Sequence, residues 1–532
     1  MLILGLNSTS YDAGAALHDD YRLIAAIAEE RLTRRKGAGG QVPTKAVDEV
    51  LAVAGADRRD IGAVVLDRRS GHEATVDPAG FLAGYRLPPR IPIRCFDHHL
   101  AHALPALFHT DWDDALLYTS DGGGDRVPYS ARGFRKDRIE DLFTAGDGSR
   151  PARPESLGLA YGYATEALGY RINRHEGKLT GLAAYGAPEI ADDLAAHFQV
   201  TDDGRVLSDF PSDPAMRRFV LDWAAGKPPE VVAASVQKVL EDKTLAAVAR
   251  LLDRAGSRNL GLSGGVFGNV RLNQLLADRL GVAETFIYPA MSDQGLAAGG
   301  ILQFLLQRDG LGIWLDRRYR LEHLYLGRDW GSETDRVLAA TPGLRPLDLA
   351  GLSPAEAAAA RIAGEVVAIF TRGMEYGPRA LGARSILAAP TDARINQTLN
   401  ARLSRSDFMP FAPVVRDVDA DAVFDLGPAK AYAARFMTIT CRVRDAWRAR
   451  IPAVVHVDGT ARPQVIRRAP NPLYYDILSA YAAGTGIPVL INTSFNAHEE
   501  PIINTPAECA RALLDNRVDA VVTQRGLYAS AT

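Results

Sequence analysis

Three cysteines in 532 residues, Cys95, Cys441 and Cys509, are odd in number, widely scattered and without a CxxC spacing. That excludes a disulfide framework and a thiolate metal site, and it fits a reducing, cytoplasmic setting. Equally absent is any uncharged apolar run of about 18 residues, so no membrane span is expected. The amino terminus, MLILGLN, has no basic segment and turns polar at Asn7, which is not the pattern of a secretory leader. Charge of one sign is scarce as well. With 61 Lys and Arg against 64 Asp and Glu, the net charge is −3, too little field to coat a nucleic acid. Low-complexity tracts and short-period repeats are missing. What remains is a globular composition, 47% hydrophobic and 23% charged. The chain is about three and a half times the ~150 residues of an average domain, so at least two cores are expected.

Leu2 to Leu6 reads as a buried strand, Asn7 to Gly14 as a polar loop, and Ala15 to Ala28 as two more strands joined at His18 to Tyr21. The same grammar returns at Ala115 to Ser120, which runs into the glycine loop Asp121 to Asp125 and back through PYSARGF. Two such hairpins predict a duplicated fold. Strands at Asn259 to Ser263 and Glu284 to Tyr288 then feed helices at Asn269 to Leu280 and Gln294 to Gln307. This is an α/β rhythm whose ligands belong at the carboxyl ends of the strands. A polar, proline-containing stretch between about Gly327 and Ser353 marks the expected domain boundary. Ser353 to Glu356 forms a capping box with Pro354 at the first helical position. Beyond it, strands are expected at Val366 to Phe370, Phe436 to Val443 and Val489 to Asn492.

The chemistry-bearing residues fall in both halves. In FDHHLAHA, His98 and His102 stand i, i+4 and in a helix share one face, as two imidazoles on one metal require; by themselves they read equally well as solvated or core histidines. Asp121 and Asp293 are the best-placed carboxylates, although Asp293 by itself reads first as an ordinary helix cap. A mixed imidazole and carboxylate set suits Fe(II), Mn(II) or Zn(II). Gly122, Gly123 and Gly124, with Gly264 and Gly265, are either tight turns or backbone approaches to phosphate. Asn269 and Asn273 follow within reach of a ribose or base, and Lys178 is available to an anion. In GMEYGPRALGARSIL, Arg379, Arg384 and Ser385 lie in a segment too apolar for a solvated basic face, and such arginines want bidentate anions. Asn492, Thr493, Ser494 and Asn496 follow an apolar strand and form either a turn or a cradle for a planar carbamoyl group.

In chain order, LGLNSTSYDAGAAL, AEERLTRRK, DHHLAHA, TSDGGGD, EGKLTGLAAYG, LSGGVFGNVRLN, SDQG, MEYGPRALGARSIL, MPFAPVV and NTSFNAHEEPI resemble the O-carbamoyltransferases that tailor antibiotics and nodulation factors. The resemblance runs over nearly the whole chain. It implies that residues 1–335 form an ASKHA domain, actin-like and built on a duplicated ribonuclease H-like sheet. This domain is similar to the transferase domain of the tRNA threonylcarbamoyladenosine system, with ATP and an iron-type site on His98, His102, Asp121 and Asp293. Residues 350–532 would be an α/β YrdC-like module that processes carbamoyl phosphate, TSFN matching its TSAN-type element and PRALGARS its basic element.

The implied reaction passes carbamate from carbamoyl phosphate to the α-phosphate of ATP. It then transfers the carbamoyl group of the adenylate to a hydroxyl of a small acceptor, a secondary metabolite or sugar. On this reading Arg379 and Arg384 neutralise phosphate, and Ser494 and Asn496 position the carbamoyl group. The glycine loops, Lys178, Asn269 and Ser385 serve the nucleotide with Mg(II). One departure matters: Tyr11 precedes Asp12 where the family often has a histidine, so either the base lies elsewhere, with Asp12 the candidate, or the acceptor differs. An ASKHA sugar or small-molecule kinase, which would yield ADP, and a non-catalytic ATP-dependent binding module are the alternatives. A tRNA partner is disfavoured by the mild acidity and the fused second domain. Two-domain enzymes of this size commonly pair, so a homodimer is expected.

Overall fold

The opening LILGLNS is apolar on both faces because strand β1 (Leu2–Ser8) lies inside a sheet, antiparallel to β2 (Ala13–Asp19) and parallel to β4 (Ile61–Asp67). With β3 (Arg22–Ala28) and β5 (Ile93–Phe96), the order is β3-β2-β1-β4-β5. A second sheet is built from β6 (Asp114–Gly124), β7 (Val127–Arg135), β8 (Arg138–Asp141), β9 (Asn259–Ser263) and β10 (Glu284–Ile287). Its order, β10-β9-β6-β7-β8, repeats the first, with the leading hairpin antiparallel and the two later strands parallel. The chain is therefore a duplicated ribonuclease H-like α/β fold of the ASKHA class. This computed structural model describes residues 1–9, 11–40, 42–67, 78–143, 151–405 and 410–531. Ser10 of the first sequence motif and Met409 of MPFAPVV lie outside them.

Helix α1 (His98–Phe108) follows β5, α2 (Val270–Arg279) follows β9, and α3 (Leu296–Asp316) follows β10. The two sheets meet across α1 and α3. Gly299 and Gly300 permit a close crossing there: a β-carbon on Gly299 would lie 1.8 Å from the Ala101 carbonyl oxygen, and one on Gly300 would lie 2.1 Å from the Phe96 ring. The helix that carries the histidines is thus set directly against the helix that follows Asp293.

The second half contains an eight-stranded sheet. Val367–Phe370, Arg384–Ala388 and Val489–Ser494 are adjacent in its middle, all antiparallel to their neighbours in that trio. Ser385 pairs with Ser494 in this register.

Several expectations need correction. The stretch from Gly327 to Ser353, expected as a boundary, carries regular elements: strand Tyr325–Asp329 runs into it, and helix Ser332–Ala340 and strand Leu344–Pro346 follow, the last at the sheet edge, where a proline without an N–H is tolerated. Of Phe436 to Val443 only Cys441–Val443 is strand. The glycine loop after Ser120 is the bulged end of β6, which reverses at Asp125 and Arg126, φ 49° and 66°, a two-residue turn with both residues left-handed. No helix among the described residues is long and apolar enough to cross a membrane.

Gly299→Ala is expected to lower the unfolding free energy by about 1–3 kcal/mol, as overpacking a helix crossing does. Denaturant unfolding checks this, and an unchanged midpoint would mean that the crossing is looser than described.

Candidate active site

Four side chains from both sheets converge. Asp97 caps α1, its Oδ1 accepting from Leu100 N at 2.8 Å, so His98 begins the helix and His102 sits one turn on. Asp121 ends β6, where its Oδ1 accepts from the Gly123 and Gly124 amides at 2.6 and 3.3 Å, leaving Oδ2 turned to the histidines. That oxygen is 2.8 Å from His98 Nε2 and 3.6 Å from His102 Nε2. Asp293 Oδ1 lies 3.7 and 3.5 Å from the same two nitrogens. One ligand atom from each of the four lies within 4.8 Å of the others.

Asp293 is not the helix cap. Ser292 takes that task, accepting from Gln294 N, and so releases the carboxylate. Gly124 is needed for packing rather than for phosphate: a β-carbon there would stand 2.1 Å from the His98 ring. Gly264, φ 102°, brings β9 against Ser120, whose carbonyl oxygen would lie 2.3 Å from an added β-carbon. Gly122 and Gly265 stay open, with at most one side-chain atom near an added β-carbon.

The electrostatics suit a cation. Burial opposes charge on His98, yet the Asp121 and Asp293 carboxylates raise it to about 9. Burial would raise Asp121, but the imidazoles of His99 and His98 hold it well below the usual carboxylate range. Against the same burial, His98 and His102 hold Asp293 low. His102 Nε2 is a buried nitrogen with no hydrogen-bond partner, and it faces two carboxylates. Two imidazoles and two carboxylates in this space fit a divalent ion such as Fe(II), Mn(II) or Zn(II). Behind it, Ser263 Oγ lies 3.5 Å from His102 Nδ1 and orients the ring. His99 faces the other way, bonded to Thr119 Oγ1 and the Val127 carbonyl, and burial pushes it down to about 4.

Asp12 stands beside this cluster. It accepts from Ser292 Oγ at 3.2 Å and Gln294 Nε2 at 3.5 Å, and burial together with the Asp293 charge pushes it up to about 7. Asn7 ties the two loops together, donating to the Asp12 and Asp293 carbonyls at 3.1 and 2.8 Å.

A cavity of about 640 Å³ lies between the two halves of the chain, and Lys178, Arg379, Ser494 and Asn496 all line it. With Asn492 and Thr493, which also line it, six sequence candidates thus meet in one place. Arg405, Arg462, Lys36 and Arg174 join them, and none had been singled out in the sequence. Arg405 ties the cradle, donating to Thr493 Oγ1 at 2.8 Å, Ser494 Oγ at 3.1 Å and Asn496 Oδ1 at 3.3 Å. Arg379 and Arg462 are different. The Nε of each is buried without a partner, and neither guanidinium meets a carboxylate among the described residues. Burial lowers Arg379 to about 10, and burial together with the charge of Arg379 lowers Arg462. Two half-buried cations with desolvated, unbonded Nε atoms favour an anion in the cavity they line.

Four expected ligands are elsewhere. Arg384 is fully buried in the sheet, its Nη1 donating to the Thr371, Ala383 and Arg372 carbonyls at 2.6, 3.0 and 3.2 Å and its carbon stacked 3.8 Å from the Phe370 ring centroid. The apolar context that suggested an anion ligand here marks a structural cation. Ser385 is buried and accepts from Gly382 N at 3.0 Å. Asn269 caps α2 and pairs with Gln237. Asn273, fully buried, donates to the Phe267 and Thr438 carbonyls.

The duplicated sheets and the histidine–carboxylate cluster between them define the class, an ASKHA-fold chain with a cluster that could hold a metal ion. The chain belongs to the carbamoyltransferase family: the Carbamoyltransferase N-terminus model matches residues 2–85 and 79–302, and the Carbamoyltransferase C-terminus model matches 358–529. The nodulation protein NolNO of Sinorhizobium fredii is 32% identical over 550 residues, covering 97% of this chain and 78% of that one. NolO of Bradyrhizobium diazoefficiens is 34% identical over 442 residues, with 80% and 77% covered. The 3'-hydroxymethylcephem-O-carbamoyltransferase of Amycolatopsis lactamdurans is 35% identical over 333 residues, with 62% and 60% covered. Solved structures are more remote. The ADPNP-bound activator of the 2-hydroxyisocaproyl-CoA dehydratase from Clostridium difficile overlays on 58% of this chain at 14% identity and a TM-score of 0.34, too low to bear on function.

His102→Ala is expected to abolish tight binding of Mn(II) or Fe(II), and Ser263→Ala to weaken it by roughly tenfold, as loss of an orienting partner does. Metal titration of the apoprotein checks both. Retention of full affinity in His102→Ala would remove the cluster as the metal site.

Proposed function

We propose that this carbamoyltransferase is an ATP-dependent O-carbamoyltransferase that uses carbamoyl phosphate and works at two sites. The observation that carries the reading is a pair of half-buried arginines, Arg379 and Arg462, each with a buried Nε that has no partner, beside Asn492, Ser494 and Asn496 in one cavity. A phosphate supplies the missing counter-charge, and the amides and hydroxyl match a planar carbamoyl group. The cavity volume, about 640 Å³, is in the range of small-molecule sites, and its wall at Val270, Met437 and Val454 is apolar enough for a nucleobase. On this reading residues 350–532 act as a YrdC-like module and residues 1–335 as the transfer domain.

In the first half-reaction water takes the phosphoryl group of carbamoyl phosphate, giving phosphate and carbamate. The carbamate oxygen then attacks the α-phosphorus of ATP, and pyrophosphate leaves with carbamoyl-adenylate as product. Arg379, Arg462, Lys36 and Lys178 hold phosphate charge, with Mg(II) on the nucleotide, and Arg405 fixes the cradle. In the second half-reaction an acceptor hydroxyl attacks the carbamoyl carbon and AMP leaves. Asp12, raised to about 7 by burial and the neighbouring Asp293 charge, is a carboxylate able to take the hydroxyl proton near neutral pH. A divalent ion on His98, His102, Asp121 and Asp293 would anchor the nucleotide phosphate. The name of the Amycolatopsis relative, an O-carbamoyltransferase, supports an oxygen acceptor on a small molecule such as a secondary metabolite or sugar.

The test is a mass-spectrometric census of nucleotides from ATP, Mg(II), Fe(II) and carbamoyl phosphate. The expected products are AMP and pyrophosphate, or carbamoyl-adenylate, only when carbamoyl phosphate is present. Arg462→Ala should stop their formation, while His98→Ala should keep pyrophosphate release and lose transfer to the acceptor. ADP formed without carbamoyl phosphate would move the protein to the kinases, and equal loss of both halves in a folded His98→Ala would contradict separate sites.

A further inference from the structure

The loop that carries Arg379 into the cavity also touches the turn that carries Asp293. Its base is closed by Glu375, whose Oε1 accepts from the amides of Leu381, Ala383 and Arg384 at 2.8, 2.7 and 3.0 Å. A ten-residue loop bound to its own first side chain in this way moves as one piece. Tyr376, 2% exposed, leaves the loop on the side of the metal cluster, and its hydroxyl donates to the Gln294 carbonyl. Gln294 follows Asp293 directly, and its amide contacts Asp12. Gly377, φ 104°, presses on the preceding turn, where an added β-carbon would lie 3.1 Å from the Pro289 carbonyl oxygen. The opposite face is held by Arg31, itself 4% exposed, whose Nη2 donates to the Gly377 carbonyl at 3.0 Å. Two residues later Arg379 enters the cavity. Four consecutive residues therefore span from the metal-ligand turn to the unpartnered arginine.

We propose that Tyr376 is a positioning residue that couples the two sites, so that an oxyanion bound at Arg379 and a divalent ion bound at Asp293 change each other's affinity through the loop Glu375 to Arg384. The proposal rests on the reading of these two sites given above. An anion that draws Arg379 shifts a loop braced by Glu375. Through one hydroxyl, that shift alters the tilt of the peptide after Asp293. Because binding is linked, the effect is reciprocal: the factor by which the anion changes metal affinity equals the factor by which metal changes anion affinity. Physiologically this would match loading of the second half of the chain to readiness of the first.

The experiment uses the full chain, Mn(II) and inorganic phosphate. Free Mn(II) is read by electron paramagnetic resonance with and without saturating phosphate, and phosphate affinity is read by calorimetry with and without Mn(II). The wild type should show a coupling factor of about five or more in both directions. In Tyr376→Phe, which keeps the ring, both ligands should still bind and the factor should fall to near one. Tyr288→Phe is the control, since that buried hydroxyl has no hydrogen-bond partner and its removal should leave the factor unchanged. Independent binding in the wild type, or a wild-type factor in Tyr376→Phe, overturns the coupling and leaves the two sites standing. Failure of the wild type to bind Mn(II) or phosphate overturns the sites themselves, and the coupling with them.

Discussion

Charge withdrawn from water without a partner is the constraint around which this structure is organised. It occurs twice. Between the duplicated sheets, His98, His102, Asp121 and Asp293 are brought so close that their lone pairs face a common point, with His102 Nε2 unbonded. Between the two halves of the chain, Arg379 and Arg462 make no ion pair among the described residues and the Nε of each is unbonded, although Glu241, Asp458 and Glu499 line the same cavity. A fold selected for stability alone would have paired these groups or replaced them with apolar side chains. Each arrangement makes sense once a ligand completes it, a cation in the first and an oxyanion in the second.

The backbone makes both placements possible. Duplication puts the ends of β6 and β10 opposite the helix that follows β5, so ligands distant in sequence arrive from both sheets. The close α1–α3 crossing at Gly299 and Gly300 sets their distance. In the second half, antiparallel pairing of Arg384–Ala388 with Val489–Ser494 brings the arginine loop beside the TSFN turn. The same loop is anchored at its base by Glu375, which accounts for how a cation as exposed to repulsion as Arg379 keeps its position.

Much of this was legible in the sequence, for identifiable reasons. The hairpin grammar repeats in period and turn chemistry, so the duplication could be read directly. The i, i+4 spacing put His98 and His102 on one face, and their neighbour His99 falls on another, where it bonds Thr119. Other residues were misread because local context marks burial and not use. Arg384 and Arg379 lie in the same glycine-rich apolar run, yet one is spent on backbone carbonyls and the other opens to the cavity. Asn269 and Asn273 follow a glycine turn as nucleotide ligands would, but helix capping and a buried tie to Thr438 use their amides. Arg405 and Arg462 were missed because they belong to no local pattern. They reach the cavity through tertiary packing of segments about sixty residues apart, and only an unsatisfied guanidinium in three dimensions reveals Arg462.

On the two-site proposal, Arg462 is held for a ligand and not for the fold. Its most direct test is the unfolding free energy of Arg462→Leu in buffer free of oxyanions, compared with the wild type, followed by addition of carbamoyl phosphate. A buried cation without a partner is often replaced by an apolar side chain at no loss of stability. The account therefore predicts that the variant unfolds no more easily than the wild type, and that only the wild type is stabilised when carbamoyl phosphate is added. A variant destabilised by about 3 kcal/mol or more, as loss of a partnered buried charge would be, would place Arg462 with Arg384 among the structural cations and contradict the account.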